Sequence, residues 1–387
     1  MSIRGKAFIA GVYEHPLREI PDRSSSQIQA EVAFGALADA GLTLADVDGY
    51  FTDSAHGFGG LSMADYLGLK LRHIDSTETG GSSYVVHVGH AAEAIAAGKC
   101  SVALITMAGR PRSAGMGMGR GGEPVPDSVF EGLWGMSGAV TGYALAATRH
   151  MYQYGTTSAQ LAEVKVAASL HAQHNPNAYL PKPVTVQEVL DSPMISSPLR
   201  RMDCCVVTDS GGAIVVVSPE VAASLPRQCV KVLGHGEAVK HADMGRLDLT
   251  YTGAVVSGPI AFEEAGVTQA DIKYASIYDS FTITVIETIE DLGFCEKGKG
   301  GEFVLDGGLV APFGKLPFNT DGGGLCNNHP SNRGGVTKVI EAVRQLRGEA
   351  NGPTQVPNCN IALAHGTGGS IATRMGSSTL ILGQEDA

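Results

Sequence analysis

The most chemically informative pattern in this chain is the segment PFNTDGGGLCNNHPSNRGG, residues 317–335. A glycine-rich turn and the pair His329-Pro330 precede an amphipathic helix that we predict over 336–347. A histidine held at such a helix entry can direct its imidazole at an oxygen on which negative charge develops. The segment therefore predicts an oxyanion-stabilising site around His329.

The composition narrows the class of protein. The 387 residues are 43% hydrophobic and include 51 glycines, which predicts an α/β protein with two domains or two halves. A net charge of −11 argues against a nucleic-acid face, because phosphate binding needs clustered Lys and Arg. No stretch approaches the roughly 18–20 apolar residues of a membrane span, and the first residues form a predicted strand rather than a signal peptide. We therefore expect a cytoplasmic protein.

Apolar periodicity predicts two similar sets of elements. The first set alternates strands and helices over 7–12, 24–40, 47–51, 85–95 and 101–107. The second set covers 230–239, 259–265, 275–278, 280–292, 336–347, 360–364 and 378–382, with a glycine turn at 366–369. This recurrence predicts an internal duplication with an N-terminal half, 1–225, and a C-terminal half, 226–387. Within the first half, about 109–225 is interpreted as an insertion that covers a site, with helices over 138–154 and 157–174.

Several motifs, in this order and spacing, resemble the thiolase superfamily, most closely the sterol-carrier-protein type of thiolase. Asn319 precedes His329-Pro330 by ten residues, as in that family's C-terminal histidine motif. QLRGEA at 345–350 and VPNCNIALAHGTGG at 356–369 look like the family's closing segment. MDCCVVTDSGGAIVV at 202–216 resembles its motif of paired cysteines. The likeness spans nearly the whole chain.

The resemblance implies a fold and a substrate class. The fold is the α/β thiolase fold, with duplicated βαβαβαββ halves in a five-layered α-β-α-β-α sandwich and, here, an inserted loop domain. Members are usually dimers that act on acyl-CoA thioesters, so we expect a homodimer with coenzyme A as part of the substrate. No tightly bound cofactor is expected. The family also has a nucleophilic cysteine at the start of the helix near residue 82, and a His-Asp-Cys-Phe tetrad before a later helix.

This sequence departs from the family at both cysteines. Ser82 falls at the expected nucleophile position, and a slip of one residue would place Gly81 or Ser83 there. The tetrad is YDSF at 278–281, so Tyr278 replaces its histidine and a serine replaces its cysteine. Of the expected reactive set, His329 is retained. Because a serine hydroxyl is a poor nucleophile without an adjacent base, covalent acyl transfer is disfavoured.

The retained groups can still stabilise an enolate. His329 and Tyr278 could polarise a thioester carbonyl, together with backbone N–H groups of the helix start and of the 366–369 segment. The backbone candidates are Ser83, Thr367 and Gly368. Retro-aldol cleavage of a β-hydroxyacyl-CoA yields an enolate and needs a base rather than a nucleophile. The candidate bases are Tyr84, Tyr251, Asp279 and His365.

Two other functions remain open. One is an acyl-CoA acyltransferase, as in thiolases and acetyltransferases, that uses Ser82 or Cys326. The other is a non-catalytic acyl-CoA or lipid-binding subunit. Some thiolase-like aldolases of side-chain degradation work with a small OB-fold partner, so a partner protein with an OB-fold and a zinc ribbon is expected under the aldolase and binding-subunit hypotheses.

Further residues complete the set of candidates. Asn319 and His365 join the catalytic candidates through the family motifs. Arginines that could contact coenzyme A phosphates are Arg110, Arg112 and Arg200, with Arg120 and Arg201 as weaker choices. His87 and His90 have metal-ligand spacing but no evident third ligand, so no metal site is predicted. The seven cysteines show no CxxC spacing, which disfavours disulfides and structural zinc, and Cys204-Cys205 are interpreted as packing residues.

Overall fold

The chain alternates strands and helices through most of its length. A computed structural model describes residues 2–53, 58–115, 126–136, 138–241, 246–330, 334–369 and 375–385. The strands are β1 Phe8–Glu14, β2 Gly49–Phe51, β3 His73–Asp75, β4 Val102–Gly109, β5 Met194–Ser196, β6 Leu199–Arg200, β7 Ser210–Val217, β8 Val230–Lys240, β9 Tyr274–Ile277, β10 Ile361–Gly368 and β11 Met375–Gly383. The helices are α1 Ser25–Ala40, α2 Gly60–Leu67, α3 Ser83–Ala96, α4 Pro126–Leu133, α5 Gly138–Tyr154, α6 Ser158–Ala172, α7 Val186–Asp191, α8 Pro219–Ala222, α9 Ala254–Ala265, α10 Thr282–Asp291, α11 Gly300–Phe303 and α12 Gly335–Arg347.

The order of the strands contains a repeat. Nine strands are hydrogen-bonded in the order β3-β2-β4-β7-β1-β8-β11-β10-β9. Strands β1 and β8, the first of each half, lie side by side. Outward from β1 follow β7, β4 and β2, and outward from β8 follow β11, β10 and β9, so each half continues with its last, next-to-last and second strand in this sheet. The third strand follows on the first side as β3, whereas on the second side it is reduced to a bridge between Ala275 and Phe318. The predicted duplication of βαβαβαββ halves is confirmed, and a boundary at 225/226, between β7 and β8, stays a prediction.

The helices pack in three layers around these strands. One outer core is built from α1 and α2 against the strands of the first half. The middle core places α3 and α12 against strands of both halves. The other outer core packs α5, α6, α9 and α10 against the strands of the second half. This is the expected five-layered α-β-α-β-α sandwich, and it brings the starts of α3 and α12 together in its middle layer.

Local sequence explains the ends of the layered helices. Ser24 and Gln27 form a capping box at the start of α1, and Gly41 ends it in the left-handed conformation. Strands β4 and β7 are buried at every position, as expected for strands covered on both faces. Among the described residues, no helix has the length and apolar character needed to cross a membrane.

Three expectations from the sequence need correction. The predicted glycine turn at 366–369 is largely strand, because β10 continues to Gly368 and pairs with β11. The predicted helix 259–265 begins earlier, as α9, and contains Pro259 in its interior. The proposed insertion 109–225 is too broad, because β7 within it is hydrogen-bonded between β4 and β1.

An ionic contact links the two halves beside α3. His90 on α3 places Nδ1 2.6 Å from Asp75 Oδ2 and Nε2 3.4 Å from Glu237 Oε2. Asp75 belongs to β3 and Glu237 to β8. The hydrogen bonds to these carboxylates raise the pKa of His90 to about 10, so the imidazole is charged near neutral pH. His90 therefore connects strands of both halves.

We expect this contact to make stability depend on pH. The folded-state pKa of His90 lies above its ordinary value near 6.5, so its contribution is present below about pH 6.5 and is lost as pH rises towards 10. The partly exposed pair should contribute about 1 kcal/mol. Urea unfolding at pH 6, 8 and 10 measures the free energy of unfolding of the wild type and of His90→Gln. The difference between the two should become smaller as the pH rises. A difference that grows with pH would contradict the assignment.

A control distinguishes this pair from a general effect of removing a histidine. His73 lies on β3 with Asp75, but its pKa is lowered, first by burial. The free energy of unfolding of His73→Gln should therefore fall between pH 6 and pH 10 as it does in the wild type. In His90→Gln this fall should be absent.

Candidate functional site

Tyr278 and His329 lie together at the centre of the candidate site. Tyr278 follows the end of β9, and His329 lies just before α12. The Tyr278 hydroxyl is 2.9 Å from His329 Nε2, and the two rings meet at 70° with centroids 5.4 Å apart. Tyr278 is 3% exposed and His329 5%. The pair is thus nearly enclosed by protein.

The loop before His329 has a conformation that glycine allows. Gly322 and Gly323 have φ of 99° and 62°, in the left-handed region that disfavours other residues. A Cβ at Gly323 would also lie 2.2 Å from Asp279 Oδ2. The glycine run is therefore required for the chain to turn tightly over the Asp279 carboxylate.

The Asp279 carboxylate links the segment that carries Tyr278 to the loop that carries His329. Its Oδ1 accepts hydrogen bonds from the Gly324 N–H at 2.8 Å and from Lys338 Nζ at 2.9 Å. Its Oδ2 accepts from the Leu325 N–H at 3.1 Å. Because Asp279 directly follows Tyr278, this carboxylate fixes the Tyr278 turn against the loop that carries His329.

Two further contacts hold the His329 loop from other segments. Lys165 on α6 donates to the Leu325 carbonyl at 2.7 Å. The Thr208 hydroxyl accepts from the His329 N–H at 2.9 Å. The loop is therefore anchored from α6 and from the segment before β7, as well as from Asp279.

Both members of the pair are uncharged near neutral pH. Burial lowers the pKa of His329 to about 4; the Asp279 charge acts to raise it and the Lys338 charge to lower it. Burial also raises the pKa of the Tyr278 phenol well above 10, with smaller contributions from Cys205, Tyr143 and Asp279. The site therefore presents a neutral imidazole and a protonated phenol.

Gly81, rather than Ser82, packs against Tyr278. A Cβ at Gly81 would lie 2.5 Å from Tyr278 Cζ and 2.4 Å from the Thr367 carbonyl oxygen. The Ser82 hydroxyl instead donates to the Thr79 carbonyl at 2.8 Å. Ser82 therefore makes a local contact at the helix start, and its assignment to the nucleophile position, with Gly81 or Ser83 as alternatives, stays a prediction. The Tyr278 ring occupies the space that a side chain at Gly81 would need.

The backbone groups predicted for the oxyanion hole lie at the start of α3 and in β10. The Ser83 N–H bonds to the Gly80 carbonyl in the turn that starts α3. Thr367 and Gly368 pair with Ser377 and Gly376 in the β10–β11 ladder. The Ser83 N–H is thus engaged in a turn, and a backbone hole that includes Thr367 and Gly368 stays a prediction.

Asn319 and His365 make structural contacts. The Asn319 amide exchanges two hydrogen bonds of 2.8 Å with the backbone of Ile277 and so extends the edge of β9. His365 Nδ1 lies 2.9 Å from the Thr379 hydroxyl, and burial lowers the pKa of His365 to about 3. The contacts of both side chains are with β9 and β11, rather than with Tyr278 or His329.

The remaining candidate bases have different surroundings. Tyr84 is buried in the middle core. The Tyr251 ring lies under Lys240 Nζ, 4.2 Å from the ring centroid. Burial acts to raise the pKa of Asp279, but Lys338 and two backbone N–H groups outweigh it, so the pKa is below its usual value. Asp279 is thus an ionised anchor for the loop.

The thiols near the site are not ionised. Cys326 is fully buried and its Sγ is 3.1 Å from Lys165 Nζ, but burial still raises its pKa. Burial also raises the pKa of Cys205 well above 9. The Cys205 N–H bonds to the Ser280 carbonyl at 2.9 Å, which fixes the paired-cysteine segment beside the Tyr278 turn. Sequence reasoning assigned the paired cysteines to packing and did not foresee this contact.

The arginines predicted to bind phosphates have protein partners. Arg110 donates to the carbonyls of Ile20 and Pro21. Arg112 Nε donates to Glu19 at 3.1 Å, and its guanidinium lies 4.7 Å from the centroid of the Tyr179 ring. Arg200 donates to the Ser192 carbonyl at 2.9 Å. Arg120 lies outside the described residues.

The two α3 histidines face different surroundings. His87 is buried with Nε2 2.9 Å from the Thr77 carbonyl, whereas His90 forms the link to Asp75 and Glu237. In the part of the chain that the structure describes, no group of three or more His, Cys, Asp or Glu side chains is placed to hold a metal ion.

Comparison with known proteins identifies the family. The family model described as "Thiolase C-terminal domain-like" matches residues 236–384. A steroid side-chain-cleaving aldolase of Thermomonospora curvata is 31% identical, over 98% of both chains. The chain belongs to the thiolase superfamily. An acetyl-CoA acetyltransferase of Methanothermobacter thermautotrophicus is 32% identical to this thiolase-superfamily chain, over 95% of it and 98% of the relative.

A solved structure has nearly the same fold. The Ltp2-ChsH2(DUF35) aldolase matches this thiolase-superfamily chain with a TM-score of 0.90 at 30% identity, over the full length of both chains. The comparisons thus include an aldolase and an acyltransferase at similar identity. The local geometry at Gly81 and Tyr278 must therefore distinguish between the two chemistries.

We expect Gly81→Ala to be far more disruptive than Ser82→Ala. A new Cβ at Gly81 overlaps a backbone oxygen and the Tyr278 ring, and overpacking of this kind costs about 1–3 kcal/mol. Ser82→Ala removes a local hydrogen bond worth about 1 kcal/mol or less. Urea unfolding of both variants measures the difference. Equal, small losses would show that Gly81 is not packed against Tyr278.

Proposed function

We propose that this protein cleaves the Cα–Cβ bond of a β-hydroxyacyl-CoA by a retro-aldol reaction. The observation that carries the proposal is the neutral Tyr278–His329 pair, hydrogen-bonded at 2.9 Å beside Gly81. A site with donors and no nucleophilic side chain at this position suits enolate formation better than acyl transfer.

The pair supplies donors where the negative charge develops. In the reaction the β-hydroxyl loses its proton, a carbonyl forms at Cβ, and the Cα–Cβ electron pair moves into the thioester to give an enolate. The enolate then takes a proton at Cα, so the reaction needs no oxidant or reductant. When the enolate oxygen lies between them, the protonated phenol of Tyr278 and the Nε2–H of the neutral His329 give up their mutual hydrogen bond and both donate to that oxygen.

Similarity supports the substrate class and a partner. The aldolase relative and the Ltp2-ChsH2(DUF35) aldolase favour carbon–carbon cleavage. We propose that coenzyme A enters as part of the substrate, that the chain forms a homodimer, and that a small OB-fold and zinc-ribbon protein assists it. The acetyltransferase relative keeps acyl transfer as the competing activity. Gly81 and the Ser82–Thr79 hydrogen bond oppose it.

The test is turnover of a β-hydroxyacyl-CoA panel, from short chains to steroid side-chain thioesters, with and without the co-expressed partner. The expected products are an aldehyde or ketone and a shortened acyl-CoA. Tyr278→Phe and His329→Ala should each lower kcat/KM about 10²–10³-fold, because each removes a donor to the developing charge.

Exposed residues provide matched controls. Tyr152→Phe and His174→Ala change side chains at exposed positions and should keep activity within about twofold of the wild type. No cleavage across the panel in the presence of the partner, or a covalent acyl adduct in intact-mass spectra, would overturn the retro-aldol assignment.

A further inference from the structure

Lys338 is a buried cation in an otherwise well-packed helix. It lies on α12, 1% exposed, among Val336, Val339 and Ile340, which belong to the middle core. Its Nζ is 2.9 Å from Asp279 Oδ1. Burying an ammonium group without a partner would cost several kcal/mol, so Lys338 and Asp279 depend on each other.

The Lys338–Asp279 contact reaches both members of the reactive pair. Asp279 directly follows Tyr278, and its oxygens accept the N–H groups of Gly324 and Leu325 in the loop that leads to His329. Through one carboxylate, α12 is therefore connected to the phenol and to the imidazole.

The same two charges act on His329 in opposite directions. The Asp279 carboxylate raises the pKa of His329 and the Lys338 ammonium lowers it, while burial lowers it most. The other carboxylates that face Lys338 are Asp321 and Glu14. The groups around the imidazole itself are Tyr278, Asp279 and Lys338. Loss of the Lys338 charge would remove the contribution that opposes Asp279 and so favour imidazolium.

We propose that Lys338 is the positioning residue of the Tyr278–His329 pair, because it holds the Asp279 carboxylate that fixes the two loops carrying the pair. The role rests on the proposed function, in which the neutral imidazole stabilises the enolate. Lys338 itself need not touch the substrate. It holds the loop that carries the imidazole, and its charge adds to the larger effect of burial in lowering the pKa of His329.

The direct test is the titration of His329 without substrate. In protein labelled with ¹⁵N-histidine, the His329 resonance is assigned as the one lost in His329→Gln. In the wild type it should stay neutral down to about pH 4. In Lys338→Met the midpoint should move up by about one to three pH units, the usual effect of a charge at short range. Lys338→Arg should restore a midpoint within about half a unit of the wild type.

Two further variants separate charge from loop support. Lys165→Met removes a different buried cation from the same loop, one that bonds to the Leu325 carbonyl, and should leave the His329 midpoint unchanged. Asp279→Asn removes the carboxylate and should keep His329 neutral to lower pH than in the wild type. Opposite shifts in Lys338→Met and Asp279→Asn support the proposal, whereas a purely structural role predicts shifts of the same sign.

The readout does not depend on the reaction. An unchanged His329 midpoint in folded Lys338→Met, or an equal shift in Lys165→Met, overturns the role of Lys338 even if the enzyme cleaves β-hydroxyacyl-CoA. If Lys338→Met does not fold, Asp279→Asn decides: a higher midpoint in that variant overturns the proposal. Absence of cleavage by the wild type affects the proposed function and leaves the titration result standing.

Discussion

The candidate site depends on the ion pair between Asp279 and Lys338. Both groups are buried, so each would be costly without the other. The Asp279 carboxylate also accepts hydrogen bonds from the backbone N–H groups of Gly324 and Leu325. The charge thus stabilises the tight turn of the His329 loop. Apolar residues pack α12 in the middle layer, and the ion pair connects that helix to both loops of the reactive pair.

The sequence predicted the layered fold and the importance of His329, and it missed the details that long-range packing decides. Alternating apolar strands and helices follow from local periodicity, so the duplicated architecture was accessible. The contact of Gly81 rather than Ser82 with Tyr278 was not accessible, because it depends on one residue of register at a helix start and on the position of the Tyr278 ring. Lys338 was missed because a lysine in a helix pattern normally indicates a solvent-exposed face. A lysine among Val336, Val339 and Ile340 was the available signal.

The electrostatic character of the pair also follows from position rather than residue type. A histidine and a tyrosine in water would be ordinary acid–base groups. Enclosed at the meeting of α3 and α12, both favour their neutral forms. A neutral pair can donate hydrogen bonds to a developing oxyanion without first neutralising a counter-charge. The low pKa of His329 also makes its imidazole a weak proton acceptor for a thiol, which fits a glycine at position 81 beside the phenol.

The shared volume of Gly81 and Tyr278 has an evolutionary consequence. A mutation that introduces cysteine at Gly81 meets the tyrosine ring and a backbone oxygen, and a mutation that shrinks the tyrosine gives up the phenol. Either single substitution therefore loses the phenol contact without giving a well-packed thiol. Homologues that carry both a cysteine at position 81 and a tyrosine at position 278 should be rare among natural sequences.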